Sequence, residues 1–200
     1  MRVPSKIECY ELICRMEMMD HIVAHSLKVC QVALALADGL AGENMGLNRE
    51  LIQAGALLHD ITKTRSFATR ENHAESGGEL LAELGFPGVG DIVRQHVKLD
   101  SYPGGVLFSE AEIVNYADKR VLHDEVVPLD RRMQYIVERY CHGEDDRRRV
   151  GWLWEKTRGL EARLFERLPF AAGELESRVA AKEHRRELES YRAACLGDSG

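Results

Sequence analysis

The chain has no Cys-x-x-Cys pair, no apolar stretch at its start, no excess of basic charge and scarcely any strand-like alternation. Each absence removes a class of protein. Five cysteines (Cys9, Cys14, Cys30, Cys141, Cys195) form an odd set without metal-type spacing, which reads as buried or idle thiols in a reducing compartment. The opening Met1-Arg2-Val3-Pro4-Ser5-Lys6 lacks the apolar core of a signal peptide. The longest uninterrupted apolar run, Val32 to Ala37, is too short to cross a bilayer. The expectation is a cytoplasmic protein with no membrane partner. A net charge of −6 argues against a general nucleic-acid surface, although a few local basic residues suffice for a small phosphate. There is no internal repeat and no low-complexity tract, and 200 residues suit one domain plus an appendage.

Helical periodicity fills the space that strand signals leave empty. Ser5, with Glu8 three residues on, has capping-box spacing for a helix from about Ile7 to Met18. Asp20 to Leu40 repeats Ile22, His25, Val29, Val32 and Leu36 at steps of three and four, so His25 belongs on a buried face. Asp38-Gly39 and Ala41-Gly42 loosen the chain, and Asn48 caps a third helix running to Leu58. A polar connection from Thr62 to Glu71 follows, then helices over 74–84 and 91–97, a loop at 100–105, and helices over 109–123 and 130–140. Gly143 to Arg149 reads as a charged, solvated hinge before two long helices, about 152–168 and 174–194. The last of these is poor in apolar residues beyond Leu175 and Val179, so it is a surface helix or half of a homodimer contact. The predicted organisation is an all-α bundle over 1–142 and a C-terminal helical extension over 143–200.

The third helix delivers Ala56-Leu57-Leu58-His59-Asp60-Ile61-Thr62-Lys63. A histidine followed by an aspartate at an apolar helix end makes a poor plain core, because both groups are costly to bury without partners. His25, His73, His96 and Asp118 stand around the pair at intervals of one or two helix lengths. One histidine on an apolar face is usually a hydrogen-bonded core residue. Four at successive helix ends or faces, one joined to an aspartate, point instead to metal: imidazole and carboxylate suit iron, manganese, zinc, nickel or cobalt. Four histidines and two aspartates can hold two divalent ions, iron or manganese above all.

From about Met19 to Tyr140 the chain resembles the HD superfamily of metal-dependent phosphohydrolases. The landmarks are His25-Ser26-Leu27-Lys28-Val29, Leu57-Leu58-His59-Asp60-Ile61-Thr62-Lys63 and Tyr116-Ala117-Asp118-Lys119-Arg120. Within it, His73-Ala74-Glu75-Ser76-Gly77-Gly78 and Ile92-Val93-Arg94-Gln95-His96 are similar to the binuclear branch that includes bacterial symmetrical diadenosine tetraphosphate hydrolases. That resemblance implies that Asp60 bridges two metals, that His25, His59 and Asp118 hold one, and that His73 and His96 complete the other. After Asp118 the chain departs from that branch, reading Lys119-Arg120-Val121-Leu122-His123-Asp124 in place of an Ile-Glu-Pro-x-Arg type run.

The implied chemistry is hydrolysis of a small phosphorylated substrate, a nucleotide or another phosphate ester or anhydride. Metal ions draw the pKa of a bound water toward neutrality, and a pair about 3.5–4 Å apart also neutralises charge on the phosphoryl oxygens. Asp60 would set the spacing and take up the nucleophile's proton. Lys63, one turn on, would face the phosphate as a fixed positive charge. Arg65, Lys119, Arg120, Arg131 and Arg132 form a further tier of phosphate contacts, led by Lys119 and Arg120 because they follow a proposed ligand directly. His21, His123, His142 and His184 fall outside the pattern. Two alternatives share the fold: a di-iron oxygenase, and a non-catalytic module that senses a nucleotide. The second normally loses ligands, and all six positions are filled.

Overall fold

A computed structural model of the chain describes residues 1–43, 45–102, 107–179 and 181–197. Helices dominate in the order α1 (Lys6–Arg15), α2 (Asp20–Leu40), α3 (Arg49–Leu58), α4 (Lys63–Thr69), α5 (His73–Glu83), α6 (Pro87–Gln95), α7 (Glu110–Lys119), α8 (Leu129–Tyr140), α9 (Glu144–Arg167), α10 (Leu175–Arg178) and α11 (Ala181–Gly197). A two-stranded hairpin, β1 (Val121–Leu122) with β2 (Glu125–Val126), interrupts them between α7 and α8. The all-α class expected from the periodicity is what the chain adopts.

Caps fix several boundaries. Ser5 and Glu8 make the reciprocal capping box at α1, Asn48 Oδ1 accepts from the Leu51 amide, and Ser109 with Glu112 closes a second box at α7. Each such cap stabilises its helix by about 1 kcal/mol. The core forms where α2 packs on α3 and α7, and α5 on α6. Leu27, Leu36, Ile52, Leu57, Leu58, Ile61, Ile113 and Tyr116 are wholly enclosed there. Each aliphatic side chain among them stabilises the fold by about 1.5–3 kcal/mol. α2 is long and apolar enough to cross a membrane by composition, with mean hydropathy 1.3 over its best window, but 67% of that window lies inside the bundle. It is built as a core helix, and counting uninterrupted apolar residues alone had missed its overall hydropathy.

Several elements differ from the sequence expectation. The polar connection after Thr62 contains α4, and the helix expected to run to His123 ends at Lys119 and turns into the hairpin. The residues around Asp38-Gly39 remain helical. A Cβ on Gly39 would lie 2.6 Å from Leu168 Cδ2, so the small residue admits the segment after α9 rather than ending α2. The charged run after Gly143 is the first turn of α9, where Glu144, Asp145 and Asp146 suit the positive end of the helix dipole. Pro103, Gly104 and Gly105 of the expected loop lie outside the described residues.

The C-terminal helices are docked rather than solvated. Leu160, Leu164, Leu168, Phe170, Leu175 and Val179 are buried in the same apolar cluster as α1, α2, α3, α5, α6 and α7, with Leu188, Tyr191 and Ala194 packed against it. Glu187 of α11 accepts from both Lys6 and Tyr10 of α1. Cys14 and Cys195 are joined as a disulfide across these helices, with their Cα atoms 5.8 Å apart. Only Cys9, Cys30 and Cys141 are the buried free thiols that the sequence led us to expect of all five.

Candidate metal centre

Five helices and one interhelical turn bring the polar residues together. α2 carries His25 on its buried face, and α3 ends at Leu58 so that His59 and Asp60 occupy the turn beyond. His73 opens α5 behind the Asn72 cap, His96 caps the end of α6, and Asp118 lies one residue before the end of α7. His59, Asp60 and His96 are almost fully enclosed, His25 and Asp118 nearly so, and His73 is about a quarter exposed by its side chain (24%). The opening of the site is therefore on the α5 side.

Backbone carbonyls fix the rings. His59 Nδ1 donates to the Ala56 carbonyl at 2.8 Å and His96 Nδ1 to that of Val93 at 2.6 Å. Both acceptors are carbonyls near a helix C-terminus, where intrahelical partners run out. His25 Nδ1 donates to the His123 carbonyl at 2.8 Å. A carbonyl only accepts, so each Nδ1 carries the proton and each Nε2 is left with its lone pair facing inward.

Those lone pairs meet carboxylate oxygens. His25 Nε2 lies 3.1 Å from Asp118 Oδ1, and His59 Nε2 lies 3.4 Å from Asp60 Oδ2 and 3.9 Å from Asp118 Oδ1. On the other side, Asp60 Oδ1 is 3.3 Å from His73 Nε2 and 3.5 Å from His96 Nε2, and the two Nε2 atoms are 3.2 Å apart. Two ligand groups result, His25–His59–Asp60 and Asp60–His73–His96, sharing Asp60. Lone pair facing lone pair is repulsive unless a cation stands between. Among the described residues, His59 Nε2 and Asp60 Oδ1 have no hydrogen-bond partner although both are buried. Donors roughly 2.1 Å from a common ion at tetrahedral to octahedral angles would be about 3.0–3.4 Å apart, close to the spacings seen. The cluster fits a divalent metal site.

Charge is arranged to match. Burial opposes ionisation of Asp60, but His59 and Lys63 outweigh it and hold the carboxyl well below the usual range. At Asp118 burial is likewise overcome, by Lys119, His25 and Arg132. Burial pushes His96 down to about 4 and lowers His25, leaving both rings neutral at neutral pH. At His59 burial is outweighed by Asp60 and Asp118, and its pKa rises. Both carboxylates are thus held ionised among the imidazoles.

The basic residues singled out from the sequence divide sharply. Lys63 donates to Asp60 Oδ2 at 2.8 Å and keeps 28% of its side chain exposed. Lys119 is 3% exposed and turned inward, donating to Asp118 Oδ2 and to the His96 carbonyl, both at 2.8 Å. Arg120 points away, to the Val127 and Ala172 carbonyls, Tyr116 and Glu161, so it braces the C-terminal segment. Arg65 is exposed and paired with Glu71, and Arg131 faces Glu125 at 3.7 Å. Arg132 instead approaches the cluster, with Nη2 3.6 Å from Asp118 Oδ1. Adjacency in sequence misled here, because the chain turns into the hairpin just after Lys119 and swings Arg120 outward.

Two supporting groups escaped sequence reading. The His123 carbonyl is a backbone acceptor, and no side-chain pattern marks it. Thr62 is fully buried, donates to the His73 carbonyl at 2.8 Å and accepts from Ser76 at 3.0 Å, tying α5 to the His59–Asp60 turn. Its place two residues after Asp60 was the available signal.

Comparison with known proteins agrees with this arrangement. The HD domain family model matches residues 22–121, half of the chain. Uncharacterized protein MJ0778 of Methanocaldococcus jannaschii is 29% identical over 124 residues, covering 56% of this chain and 72% of that protein. A tRNA (cytidine(56)-2'-O)-methyltransferase of Picrophilus torridus is 27% identical over 156 residues, 70% of this chain and 43% of the relative. Ribonuclease Y of Aquifex aeolicus is 28% identical over 131 residues, 64% of this chain and 23% of the relative. The chain thus spans less than half the length of the last two. No solved structure matches it. With His25, His59, Asp60 and Asp118 all inside the matched span and converging on one centre, the chain belongs to the HD domain family.

Proposed function

We propose that the chain is a metal-dependent phosphohydrolase with a two-ion centre, acting on a nucleotide or another small phosphate ester or anhydride. The observation that carries this reading is Asp60, whose two oxygens face two separate histidine groups. His25, His59, Asp60 and Asp118 would hold one ion, and Asp60, His73 and His96 the other. Bound divalent ions supply a water of lowered pKa and neutralise charge on phosphoryl oxygens. The protein's own part is positioning. The carbonyls of Ala56, Val93 and His123 keep the Nε2 atoms of His59, His96 and His25 turned inward, and Lys63 and Arg132 provide cations beside the carboxylates. Lys63, the more exposed of the two, can leave Asp60 to meet a phosphate at the open α5 side.

The expected kinship with diadenosine tetraphosphate hydrolases finds no support in the relatives named above, so the two-ion proposal rests on geometry. One relative, Ribonuclease Y, favours a second substrate reading, an RNA phosphodiester. Metal analysis of the purified protein, with a hydrolysis screen over mononucleotides, dinucleotides and short RNA, tests both. We expect about two ions per chain in the wild type, about one in His96→Ala, and no hydrolysis in His59→Ala. Phosphate release that survives in His59→Ala would remove the assigned site. A single ion per chain, unchanged in His96→Ala, would rule out the second one.

A further inference from the structure

Lys119 is an unusual place for an ammonium group. It is 3% exposed. A buried ammonium is costly unless it is paired and hydrogen-bonded. Lys119 meets that requirement with two acceptors, Asp118 Oδ2 and the His96 carbonyl, each at 2.8 Å. Those acceptors belong to opposite halves of the centre. Asp118 Oδ1 faces His25 and His59, whereas His96 faces Asp60 and His73. Asn115, one turn earlier on α7, reinforces the second contact by donating to the Gln95 and His96 carbonyls, both at 2.9 Å. The end of α6 is therefore pinned to α7 beside Asp118.

Resting on the two-ion reading, we propose that Lys119 is a positioning residue of the metal centre. By occupying Asp118 Oδ2 it limits that carboxylate to one ligand oxygen, Oδ1, and by holding the His96 carbonyl it sets the two halves in register. The contrast with Lys63 supports this division. Lys63 also donates to a carboxylate oxygen at 2.8 Å, but with 28% of its side chain exposed it can swing away. Lys119 has no such exit and stays as a fixed part of the site.

The test is titration of the metal-free full chain with cobalt(II), read by visible absorption and by calorimetry. Lys119→Met keeps the apolar stem and removes the ammonium. It should weaken the first ion tenfold or more, as loss of a hydrogen bond to a ligand does. It should also change the cobalt band shape, because Asp118 gains a second free oxygen. Lys119→Arg should restore the affinity in large part. Lys119→Gln, which removes the charge but keeps a polar head, should weaken the first ion likewise, and it serves if Lys119→Met does not fold. Identical spectra and affinities in the wild type and in whichever of Lys119→Met and Lys119→Gln folds would overturn the proposal. Failure of the wild type to bind cobalt(II) at all would instead sink the metal reading itself.

Discussion

His25 Nδ1 donates to the carbonyl of His123 across 98 positions of sequence, at 2.8 Å. The hairpin between α7 and α8 therefore reaches back to orient the first histidine of the centre. His123 stands in its two-residue turn at φ 56°, the left-handed region that a non-glycine residue enters at a cost of about 1–2 kcal/mol. Since the acceptor is backbone, the imidazole of His123 takes no part in holding His25. His123→Gly should retain metal content and keep stability within about 1 kcal/mol. His123→Val should lose about 1–2 kcal/mol or more, since a β-branched residue fits the left-handed region badly, and should bind metal more weakly. Thermal melts with metal titration of the two variants check this; equal behaviour would show that the turn does not govern His25.

The second histidine pair depends on how closely two helices approach. A Cβ on Gly90 would stand 2.5 Å from the Gly78 carbonyl oxygen, and one on Gly78 would stand 2.8 Å from the Gly90 carbonyl oxygen. Backbone cannot yield as a flexible side chain does, so Gly90→Ala must push α5 and α6 apart. We expect a loss of about 1–3 kcal/mol, typical of overpacking, with weaker binding of the ion assigned to His73 and His96. Gly151→Ala, where a Cβ would meet no described atom within 4 Å, is the control. Denaturant unfolding and metal stoichiometry of both variants decide it, and a neutral Gly90→Ala would refute the close-packing account.

How much of this could be read in the sequence depends on what each feature rests upon. His59 and Asp60 stood out because two costly groups end an apolar helix, and His25 because its helix repeats at steps of three and four; the structure places all three together. Helix caps such as Ser5 and Asn48 were legible because a short-range hydrogen bond defines them. Arg120 was misjudged because its direction depends on a hairpin that two residues per strand form, too short for alternation to register. The docking of α11 was missed for a related reason. Its apolar contacts, Leu188, Tyr191 and Ala194, are few, and the Cys14–Cys195 pairing joins residues 181 positions apart.

That pairing gives the third prediction. In the chain-entropy account a crosslink stabilises mainly by restricting the unfolded chain, by roughly 4–5 kcal/mol for loops of 100 residues or more, and measured values often fall short. The bond joins α1 to α11, neither of which carries a proposed ligand. A dithiol reductant, or Cys195→Ser, should therefore lower stability by roughly 2–5 kcal/mol while leaving the metal stoichiometry unchanged. Chemical denaturation with and without reductant measures the first, and metal analysis the second. Loss of bound metal on reduction would show that α11 supports the centre directly.

The last prediction concerns the unpartnered atoms of the centre. His59 Nε2 and Asp60 Oδ1 are buried with no hydrogen-bond partner among the described residues, and an orphaned buried polar group destabilises by about 1–3 kcal/mol. An ion that satisfies them binds the folded chain and not the unfolded one, so metal must raise the melting temperature. At a free concentration one hundred times its dissociation constant, one ion adds about 2.7 kcal/mol. At about 2–4 °C per kcal/mol for a chain of this size, manganese(II) or iron(II) should raise the midpoint by about 5–11 °C, reversed by a chelator. Asp60→Asn, which removes the carboxylate shared by both ligand groups, should abolish most of that shift. His73→Ala should keep part of it, since His25, His59 and Asp118 remain. Scanning calorimetry of the three proteins with and without metal makes the comparison. A full shift in Asp60→Asn would mean that the stabilising ion sits elsewhere, and the bridging role given to Asp60 would fall with it.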